Sequence, residues 1–376
     1  MNQKGKKEIK ILGLASFLND LGSDMIYPVW PLFVKSLGAS MSILGFLDGL
    51  GEALVSISQA ISGYFSDKIQ KRKIFVWLGY LMGSFSRIGY AISTAWQHLI
   101  PFRILDRIGK IRSAPRDAIV ADLSTDQDRG SNFGFLRMMD NLGAVFGILI
   151  CILLVEVLGF KELFLLASIP SLIGVILILI FIKEQKKDST KIFKRISFKT
   201  FSLKFKYFLF LSSIFSLGAF SYSFLLIFAK EFGFKISFVP VLYLIFTLTA
   251  SLSSIPFGKL SDKIGRKAVL EISFLLWGIV CFLFLVFKNY WAIILAFVFY
   301  GLHKGALEPS QRAFVSELVL PEIRASALGG FRMVTGLFSL PASFLAGILW
   351  DKISILAPFY LSLILTLISL FCLFKL

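Results

Sequence analysis

The sequence has few charged residues, which cover the surface of a soluble protein, and few His and Cys, which form many reactive centres. Of its 376 residues, 17% are charged and 56% are hydrophobic, against about 25% and 45–50% in a typical globular domain. Its 2 His and 3 Cys show neither metal-ligand nor disulfide spacing. These shortages exclude a disordered tail and a disulfide scaffold, and they argue against an enzyme, since no nucleophile is paired with a base. With 41 Phe to hide, the chain is predicted to be a membrane protein.

The charge that is present is mostly positive, with 40 Lys and Arg against 23 Asp and Glu, a net +17. In so apolar a chain, this excess does not predict binding to nucleic acid. The cations gather in turns that follow even-numbered apolar stretches, counted from the N-terminus, and in residues 184–206. The turns on the other side of the membrane contain only scattered lysines. By the positive-inside rule, we expect a multi-pass protein of the cell membrane with both termini cytoplasmic, whose basic linker touches anionic lipids.

Twelve apolar stretches are long enough to cross a bilayer as helices of about 20 residues. Because the apolar runs are continuous and do not alternate, helices are favoured over a membrane barrel. The stretches lie near residues 11–34, 41–65, 74–95, 97–121, 131–157, 163–182, 207–229, 238–260, 268–287, 291–314, 327–350 and 354–374. At about 31 residues per span, there is no room for a soluble catalytic domain.

The second half of the chain repeats the first at an offset of 195 residues. Segment 63–69, GYFSDKI, returns as 258–264, GKLSDKI. Further matches at offsets of 195 or 194 pair Asp122 with Glu317, Arg129 with Arg324, Arg137 with Arg332, Lys110 with Lys304 and Pro115 with Pro309. The repeat predicts an all-α polytopic membrane protein with twelve transmembrane helices in two pseudo-symmetric six-helix halves, 1–183 and 207–376, joined by a cytoplasmic linker, 184–206.

Residues 258–267, GKLSDKIGRK, resemble the loop signature of the major facilitator superfamily, and 63–72 is similar except that Gln70 stands where the family usually has Gly. The resemblance covers essentially the whole chain, and 106–117 resembles a drug-exporter-like bacterial branch. It implies cytoplasmic gate loops that latch the two halves, formed by Gly63, Asp67, Lys68, Arg72, Gly258, Asp262, Lys263 and Arg266. The two glycines are expected to end a span where another helix approaches closely.

Charged residues within the apolar spans are the candidates for function, because burying a charge in a bilayer is costly. They are Asp20, Asp24, Asp48, Glu52, Arg87, Arg103, Arg137, Lys304, Glu308 and Arg332, with Arg112, Arg116 and Asp117 assigned to the loop between spans 4 and 5. Asp20, Asp24 and Glu52 are expected to lie deepest. One of these carboxylates couples proton movement to transport, or they form structural ion pairs, for example Asp48 or Glu52 with Arg87 or Arg103. Lys304 and Glu308 either neutralise each other or contact a solute, and Arg137 and Arg332 either belong to the cavity or share a structural role at its cytoplasmic mouth.

The function predicted from these features is secondary active transport of a small organic solute by alternating access, proton-coupled and preferably as export. A proton gradient replaces any cofactor, and a monomer is expected. An importer or uniporter of the same fold, or a transport-inactive membrane sensor or assembly subunit, are the alternatives. Tyr222, Phe224, Tyr243 and Phe246 are expected to form one apolar wall, and the Gly143–Gly147 spacing predicts close helix packing in span 5.

Overall fold

The computed structural model describes residues 3–69, 71–125, 128–184, 201–320 and 323–376, with the backbone alone at 3, 4, 67, 325 and 326. Over these ranges the chain is helical and contains no strand. Most of the predicted linker, residues 185–200, lies outside the described residues, as does Gln70.

In the described part of the chain, seven α-helices precede the linker and seven follow it. The first set is α1 (Gln3–Asp24), α2 (Trp30–Ser36), α3 (Met41–Ile69), α4 (Lys73–Ile92), α5 (Trp96–Ile108), α6 (Ser113–Leu123) and α7 (Arg129–Phe181). The second set is α8 (Leu203–Gly218), α9 (Tyr222–Phe232), α10 (Val239–Ile264), α11 (Arg266–Val286), α12 (Tyr290–Glu317), α13 (Arg324–Lys352) and α14 (Ala357–Phe374). Single 3-10 turns cover Gly109–Arg112 and Ile236–Phe238.

These helices make up the twelve spans that were predicted. Eight helical segments of the described chain are long and apolar enough to cross a membrane. One of them, α7, divides at Gly159 (φ +77°) into spans 5 and 6. The remaining spans are α4, the α5–α6 pair and the α1–α2 pair. Helices α2, α5 and α6 are individually short, with 7, 13 and 11 residues.

Span 1 is not the single helix over 11–34 that the apolar run predicted. Its helix α1 begins at Gln3 and ends at Asp24, and α2 resumes at Trp30. The break falls around Pro28, and a proline within a helix removes one backbone hydrogen bond and clashes with the preceding turn. Pro31 then stands in the first turn of α2, where a proline is tolerated.

The repeat is visible in the structure as well as in the sequence. The break between α8 and α9 matches the break between α1 and α2, and Gly38 (φ +82°) and Gly233 (φ +117°), both in the left-handed region, are 233 − 38 = 195 residues apart. The packing also repeats: α1 lies on α7 and α4 on α7, as α8 lies on α13 and α11 on α14. Both halves are therefore built to one plan.

The chain divides into two compact units. The first unit contains the described residues of Met1–Gly38 and Leu54–Lys191, and the second contains those of Ala39–Ala53 and Ile192–Leu376. Helix α3 contributes to both units, since its first residues cluster with the second unit and the rest with the first. The core of the first unit includes Leu12, Val76, Val120 and Ile178.

Candidate functional site

A ring of two arginines and two aspartates links α6 to α7 in the first unit. Arg116 donates from Nη1 to Asp140 Oδ1 at 3.0 Å and from Nε to Asp117 Oδ1 at 3.2 Å. Arg137 donates to Asp140 Oδ2 at 3.1 Å and to Asp117 Oδ2 at 2.7 Å. Each arginine thus bonds both aspartates, and the formal charge of the ring is zero. Such a network satisfies most of the polar atoms that burial would otherwise leave unpaired.

The structure corrects the prediction that the residues around Arg116 form a loop. Arg112, Arg116 and Asp117 were assigned to a loop, but Arg112 ends a 3-10 turn and Arg116 and Asp117 lie on α6. Arg112 and Arg116 are buried, not solvated. Arg116 can be buried because its charge is balanced within the ring, and Arg112 because it donates to Gly109 O at 2.9 Å and lies over the Tyr80 ring.

On its buried side, the ring is hydrogen-bonded to α1 and, through α1, to α4. Arg116 Nη1 also donates to Ser16 Oγ at 2.6 Å, and Ser16 shares a hydrogen bond of 3.0 Å with the Tyr80 hydroxyl. The half-buried Asp20, one turn along α1, contributes to the electrostatic environment of Arg116 and Asp140. The one hydrogen bond described for its carboxylate comes from Asn19 Nδ2 at 2.9 Å. Asp20 is therefore an acid beside an already neutral ring.

Asp24 lies one turn further along the same helix, as the i, i+4 spacing predicted. It is half-buried at the last residue of α1.

The close helix packing predicted for span 5 is found where α7 lies against α1. A Cβ on Gly143 or Gly147 of α7 would overlap the backbone carbonyl of Phe17 or Leu21, so the two helices meet backbone to backbone.

Arg87 of α4 is 2% exposed, and its hydrogen-bond partners in the described chain are neutral. Its guanidinium donates to Ala167 O at 2.8 Å, to Asn19 O at 3.1 Å, and to the hydroxyls of Ser23 at 2.9 Å and Ser171 at 2.5 Å. The ion pair of Arg87 with Asp48 or Glu52 that was considered from the sequence is therefore wrong. Carbonyl and hydroxyl oxygens of α1 and α7 satisfy this charge in place of a carboxylate.

Helix α5 buries three more charges. The Arg103 guanidinium lies 4.3 Å from the centre of the Trp30 ring, and that of Arg107 lies 5.1 Å from the Tyr27 ring. Arg107 Nε is 3.4 Å from Asp106 Oδ2. Stacking on aromatic faces partly compensates the loss of hydration, which suits arginine better than lysine.

In the second unit, the predicted Asp48 is 4% exposed. Its Oδ2 accepts hydrogen bonds from Ser221 Oγ at 2.7 Å and from Ser223 Oγ at 2.5 Å. Ser221 is the N-cap of α9, where its hydroxyl also accepts from the Ser223 backbone N–H. Asp48 therefore lies at the positive end of a helix dipole, which stabilises its negative charge.

An aromatic wall in the second unit consists of Tyr222, Tyr243, Phe246 and Tyr300. Ring centres are 5.2 Å apart for Tyr222 and Tyr243, 5.1 Å for Tyr243 and Phe246, and 4.9 Å for Phe246 and Tyr300. Tyr222 and Phe246 are half-buried, whereas Tyr243 and Tyr300 are buried.

The structure corrects the prediction for one member of the wall. Phe224 is fully buried between Phe220 and Trp350, away from Tyr222. Both residues are on α9, and two positions along a helix are about 200° apart. Tyr300, which the sequence reasoning missed, takes its place. The signal for Tyr300 was its position one turn before Lys304 on α12.

Lys304 stands at one end of the aromatic wall. Its ammonium group lies 5.5 Å from the centre of the Tyr300 ring, and the exposed Glu52 and Glu308 contribute to its electrostatic environment. The predicted mutual pairing of Lys304 and Glu308 is not found, because Glu308 Oε2 is 3.7 Å from Arg312 Nη2 instead. Arg332 of α13 is exposed and lines a small pocket with Glu308 and Arg312.

The predicted gate loops are tied within their own units. In the first unit, Arg72 pairs with Asp122, and its backbone N–H donates to Glu184 Oε1 at 2.6 Å. In the second unit, Arg266 pairs with Asp262 and donates to Glu317 Oε1 at 3.1 Å. Lys68 and Lys263 are exposed, and the Asp67 side chain lies outside the described residues. Since Asp122 and Glu317 are repeat equivalents, both loops use an arginine–acid pair.

The expectation for Gly63 and Gly258 is wrong. Both lie within helices, which continue to Ile69 and Ile264. Among the described residues, a Cβ on Gly258 would meet no atom within 4 Å, and one on Gly63 would be at an ordinary 3.5 Å from Ala114 Cβ. Neither glycine is required for close packing in this arrangement.

Sequence reasoning also missed the partners of the predicted residues. Asp140 completes the ring, and Ser221 and Ser223 hold Asp48. Asp140 follows Arg137 by three residues, a spacing that favours an ion pair on a helix. The serines at the start of α9 carry the signal of an N-cap, which attracts a carboxylate only once the fold has brought one there.

Comparison with known proteins assigns this architecture. A sequence model of the Major Facilitator Superfamily matches residues 12–207 and 207–376. The chain belongs to the major facilitator superfamily. It is a multi-pass membrane transporter of that family and not an enzyme.

Two relatives cover nearly the whole chain. An uncharacterized MFS-type transporter of Methanocaldococcus jannaschii is 40% identical over 373 residues, 96% of this chain and 93% of the relative. The quinolone resistance protein NorA of Staphylococcus aureus is 25% identical over 371 residues, 95% and 93% of the two chains. Among solved structures, an inward-facing bacterial homologue of the human lysosomal transporter Spinster superposes with a TM-score of 0.80 at 14% identity, covering 100% of this chain and 97% of the other.

Proposed function

We propose that this transporter is proton-coupled and exports a small aromatic or amphipathic solute by alternating access, with both termini in the cytoplasm. The first unit carries the coupling group, and the second unit carries the surface that contacts the solute. No cofactor is needed, because a proton gradient supplies the energy.

The observation that carries this proposal is the position of Asp20. The carboxylates of the neighbouring ring, Asp117 and Asp140, each accept from two arginines, so protonating either one breaks ion pairs. Asp20 accepts one described hydrogen bond, from the neutral Asn19 amide. A proton can therefore bind Asp20 without breaking any described ion pair, and it changes the charge that Arg116 experiences.

A change of charge at Asp20 acts directly on helix packing. Helix α1 meets α7 backbone to backbone at Gly143 and Gly147, and Arg116 reaches α1 through Ser16. When Asp20 is charged, it attracts Arg116 and holds α1 near the ring. Protonation removes this attraction, so the two protonation states favour different positions of α1.

The solute class follows from the aromatic wall. Tyr222 and Phe246 present half-buried ring faces. The Lys304 ammonium lies at the Tyr300 end of the wall, and the Glu52 and Glu308 carboxylates contribute to its electrostatic environment. Stacking on such faces favours a planar solute, and the nearby Lys304 suits one that also carries a polar or charged group. The relative named for quinolone resistance supports the direction and the solute class.

The test measures uptake of ciprofloxacin, a quinolone, into inverted proteoliposomes with an imposed pH gradient. Uptake by the unmodified protein is expected to increase when the interior is acidic and to vanish when a protonophore collapses the gradient. Asp20→Asn is expected to reduce gradient-driven uptake by about 100-fold, because the neutral side chain cannot exchange a proton.

Asp24→Asn is the matched control, one turn away on the same helix. It is expected to keep the pH dependence of the unmodified protein. If Asp24→Asn abolishes gradient-driven uptake and Asp20→Asn does not, the assignment to Asp20 is wrong. If the unmodified protein ignores the gradient altogether, proton coupling is wrong.

A further inference from the structure

Asn19 of α1 lies between the buried Arg87 and the half-buried Asp20. Its Oδ1 accepts from Ser171 Oγ of α7 at 3.1 Å and from Arg87 Nη2 of α4 at 3.4 Å. Its Nδ2 donates to Asp20 Oδ1 at 2.9 Å. Asn19 is 1% exposed and Ser171 is fully buried. One amide group therefore connects Arg87 and Ser171 on one side with the Asp20 carboxylate on the other.

The Asn19 amide is held in one orientation. Arg87 can only donate hydrogen bonds, because a guanidinium has no acceptor. Rotating the amide by half a turn would bring the Nδ2 hydrogens against this guanidinium and would take the Oδ1 acceptor away from Ser171. Arg87 is itself fixed, since it also donates to Ser171 Oγ and to Ala167 O. The side of the amide that faces Asp20 is therefore a donor.

The helices pack closely around Arg87. A Cβ on Gly22 of α1 would overlap Arg87 Nη1 and the carbonyl oxygen of Ala167. The missing side chain at Gly22 therefore lets the guanidinium lie between α1 and α7. Nearby, Ser84 Oγ of α4 donates to Ser168 O of α7 at 2.8 Å, and both serines are buried. The group that orients Asn19 thus has little freedom to move.

A donor with a fixed orientation acts differently on the two protonation states of Asp20. Hydrogen bonds to an ionised group are roughly twice as strong as neutral ones, so Asn19 Nδ2 bonds the charged carboxylate better than the protonated one. The O–H of a protonated Asp20 needs an acceptor, which a freely rotating amide offers through Oδ1 and the fixed amide does not. The orientation of Asn19 therefore favours the charged state.

Titratable groups on α4, α6 and α7 contribute to the electrostatic environment of Asp20, and one more lies a turn away on α1. They are Tyr80, Arg87, Arg116, Asp140 and Asp24. The described hydrogen bonds of Arg116 and Asp140 go to the ring and to Ser16, not to Asp20. Among the described residues, Asn19 is thus the donor that touches the Asp20 carboxylate.

The second unit forms the same helical plan without this arrangement. At the repeat offset of 195, Asn19 and Asp20 correspond to Ile214 and Phe215. Neither of these side chains can form a hydrogen bond. The shared fold therefore requires neither the amide nor the acid at these positions, which points to a role in transport.

We propose that Asn19 is a positioning residue for the coupling carboxylate, with Arg87 and Ser171 holding its amide so that it donates to Asp20. Asn19 opposes proton uptake by Asp20 and so sets the pH range in which the proton is exchanged. This inference rests on the proposed function for the role of Asp20 in transport. The positioning itself has a test that needs neither a solute nor a pH gradient.

The test measures how fast dicyclohexylcarbodiimide labels Asp20 in the purified protein. This reagent adds to protonated carboxyl groups, and mass spectrometry of peptide fragments locates the label. At neutral pH, Asn19→Leu is expected to raise the labelling rate of Asp20 about tenfold, because the charged carboxylate loses a donor that the protonated group needs less.

The pH profile of labelling separates positioning from a general loosening of the helices. In Asn19→Leu, the profile is expected to move to higher pH by about one unit, with an unchanged plateau rate at low pH, because removing a donor from the charged form favours protonation. Looser packing would instead raise the rate at every pH. Ser171→Ala keeps the amide but removes one group that orients it, and it is expected to raise the rate at neutral pH about two- to threefold.

Ser84→Ala is the matched control, one turn from Arg87 on α4. It removes a buried hydrogen bond between α4 and α7 without touching Asn19. Its labelling rate and its pH profile are expected to equal those of the unmodified protein.

Two results overturn Asn19 as a positioning residue. One is a labelling rate within about twofold of the unmodified protein in both Asn19→Leu and Ser171→Ala, when both elute as folded protein in gel filtration. The other is an equal increase in Ser84→Ala. Should Asn19→Leu fail to fold, Ser171→Ala decides in the same way. If the profile moves as expected but the unmodified protein shows no gradient-driven uptake of ciprofloxacin, the positioning is supported and the proposed function is the part that fails.

Discussion

The two units repeat one helical plan but bury different chemistry. At the repeat offset of 194, Arg103 and Asp106 of the first unit correspond to Phe297 and Tyr300 of the second, and at 195 Asp20 corresponds to Phe215. All three aromatic residues are buried. The first half thus has charged side chains at positions where the second has aromatic side chains. The shared helical plan therefore does not determine which kind of side chain is buried.

The difference extends to how charges are neutralised. In the first unit, Arg137 belongs to the ring with Asp117 and Asp140. Its repeat equivalent Arg332 has Thr335 at the position of Asp140, since 335 − 140 = 195, and it is exposed. Since Thr335 carries no charge, the second unit cannot form the same ring around Arg332.

The largest effect is expected from a variant that breaks the ring of arginines and aspartates between α6 and α7. Arg116→Ala leaves Asp117 and Asp140 with Arg137 alone, whose side chain is 55% exposed. Removing one partner from a buried ion pair destabilises a protein by about 3–5 kcal/mol. Arg312→Ala in the second unit, which breaks an exposed pair with Glu308, is expected to lower the free energy of unfolding by less than about 1 kcal/mol. Chemical unfolding in detergent measures both, and equal losses would contradict the contrast between the units.

A smaller effect tests the backbone contact between α1 and α7. Gly147 meets the backbone of Leu21, whereas its repeat equivalent in the second unit is Ala342. Gly147→Ala is expected to destabilise by about 1–3 kcal/mol, because the added methyl forces α1 and α7 apart. An unfolding midpoint at or above that of the unmodified protein would show that α1 and α7 are not in backbone contact.

The smallest effect has the opposite sign. Gly258→Ala adds a methyl group within α10 that meets no other described residue within 4 Å. Alanine favours a helix over glycine by about 0.5–1 kcal/mol, so this variant is expected to unfold at slightly higher denaturant concentration. A loss of stability of more than about 1 kcal/mol would mean that Gly258 has a close neighbour after all.

The sequence was sufficient for the spans and the repeat because both depend on local patterns. Hydrophobic runs reveal helices that cross a membrane, and the match of 63–69 with 258–264 reveals the duplication. The break at Pro28 and the two sides of α9, with Tyr222 on the wall and Phe224 in the core, were also encoded locally but were overlooked.

The partners of the charged residues were not accessible from local patterns. Arg116 and Asp140 are 24 residues apart, and Arg87 and Ser171 are 84 apart. Their pairing depends on how helices pack, which spacing along one helix does not determine. For the same reason, Arg116 looked like a loop cation until the carboxylates around it were known.

The division of labour between the units is tested most directly by comparing two variants in two transport modes. Counterflow exchanges ciprofloxacin across proteoliposomes without a pH gradient, and gradient-driven uptake requires coupling. Asp20→Asn is expected to keep counterflow within about threefold of the unmodified protein while losing gradient-driven uptake by about 100-fold. Phe246→Ala, on the aromatic wall, is expected to lower both modes to the same extent, about tenfold. If Asp20→Asn loses both modes equally, or Phe246→Ala loses gradient-driven uptake alone, the assignment of coupling to the first unit and solute contact to the second is wrong.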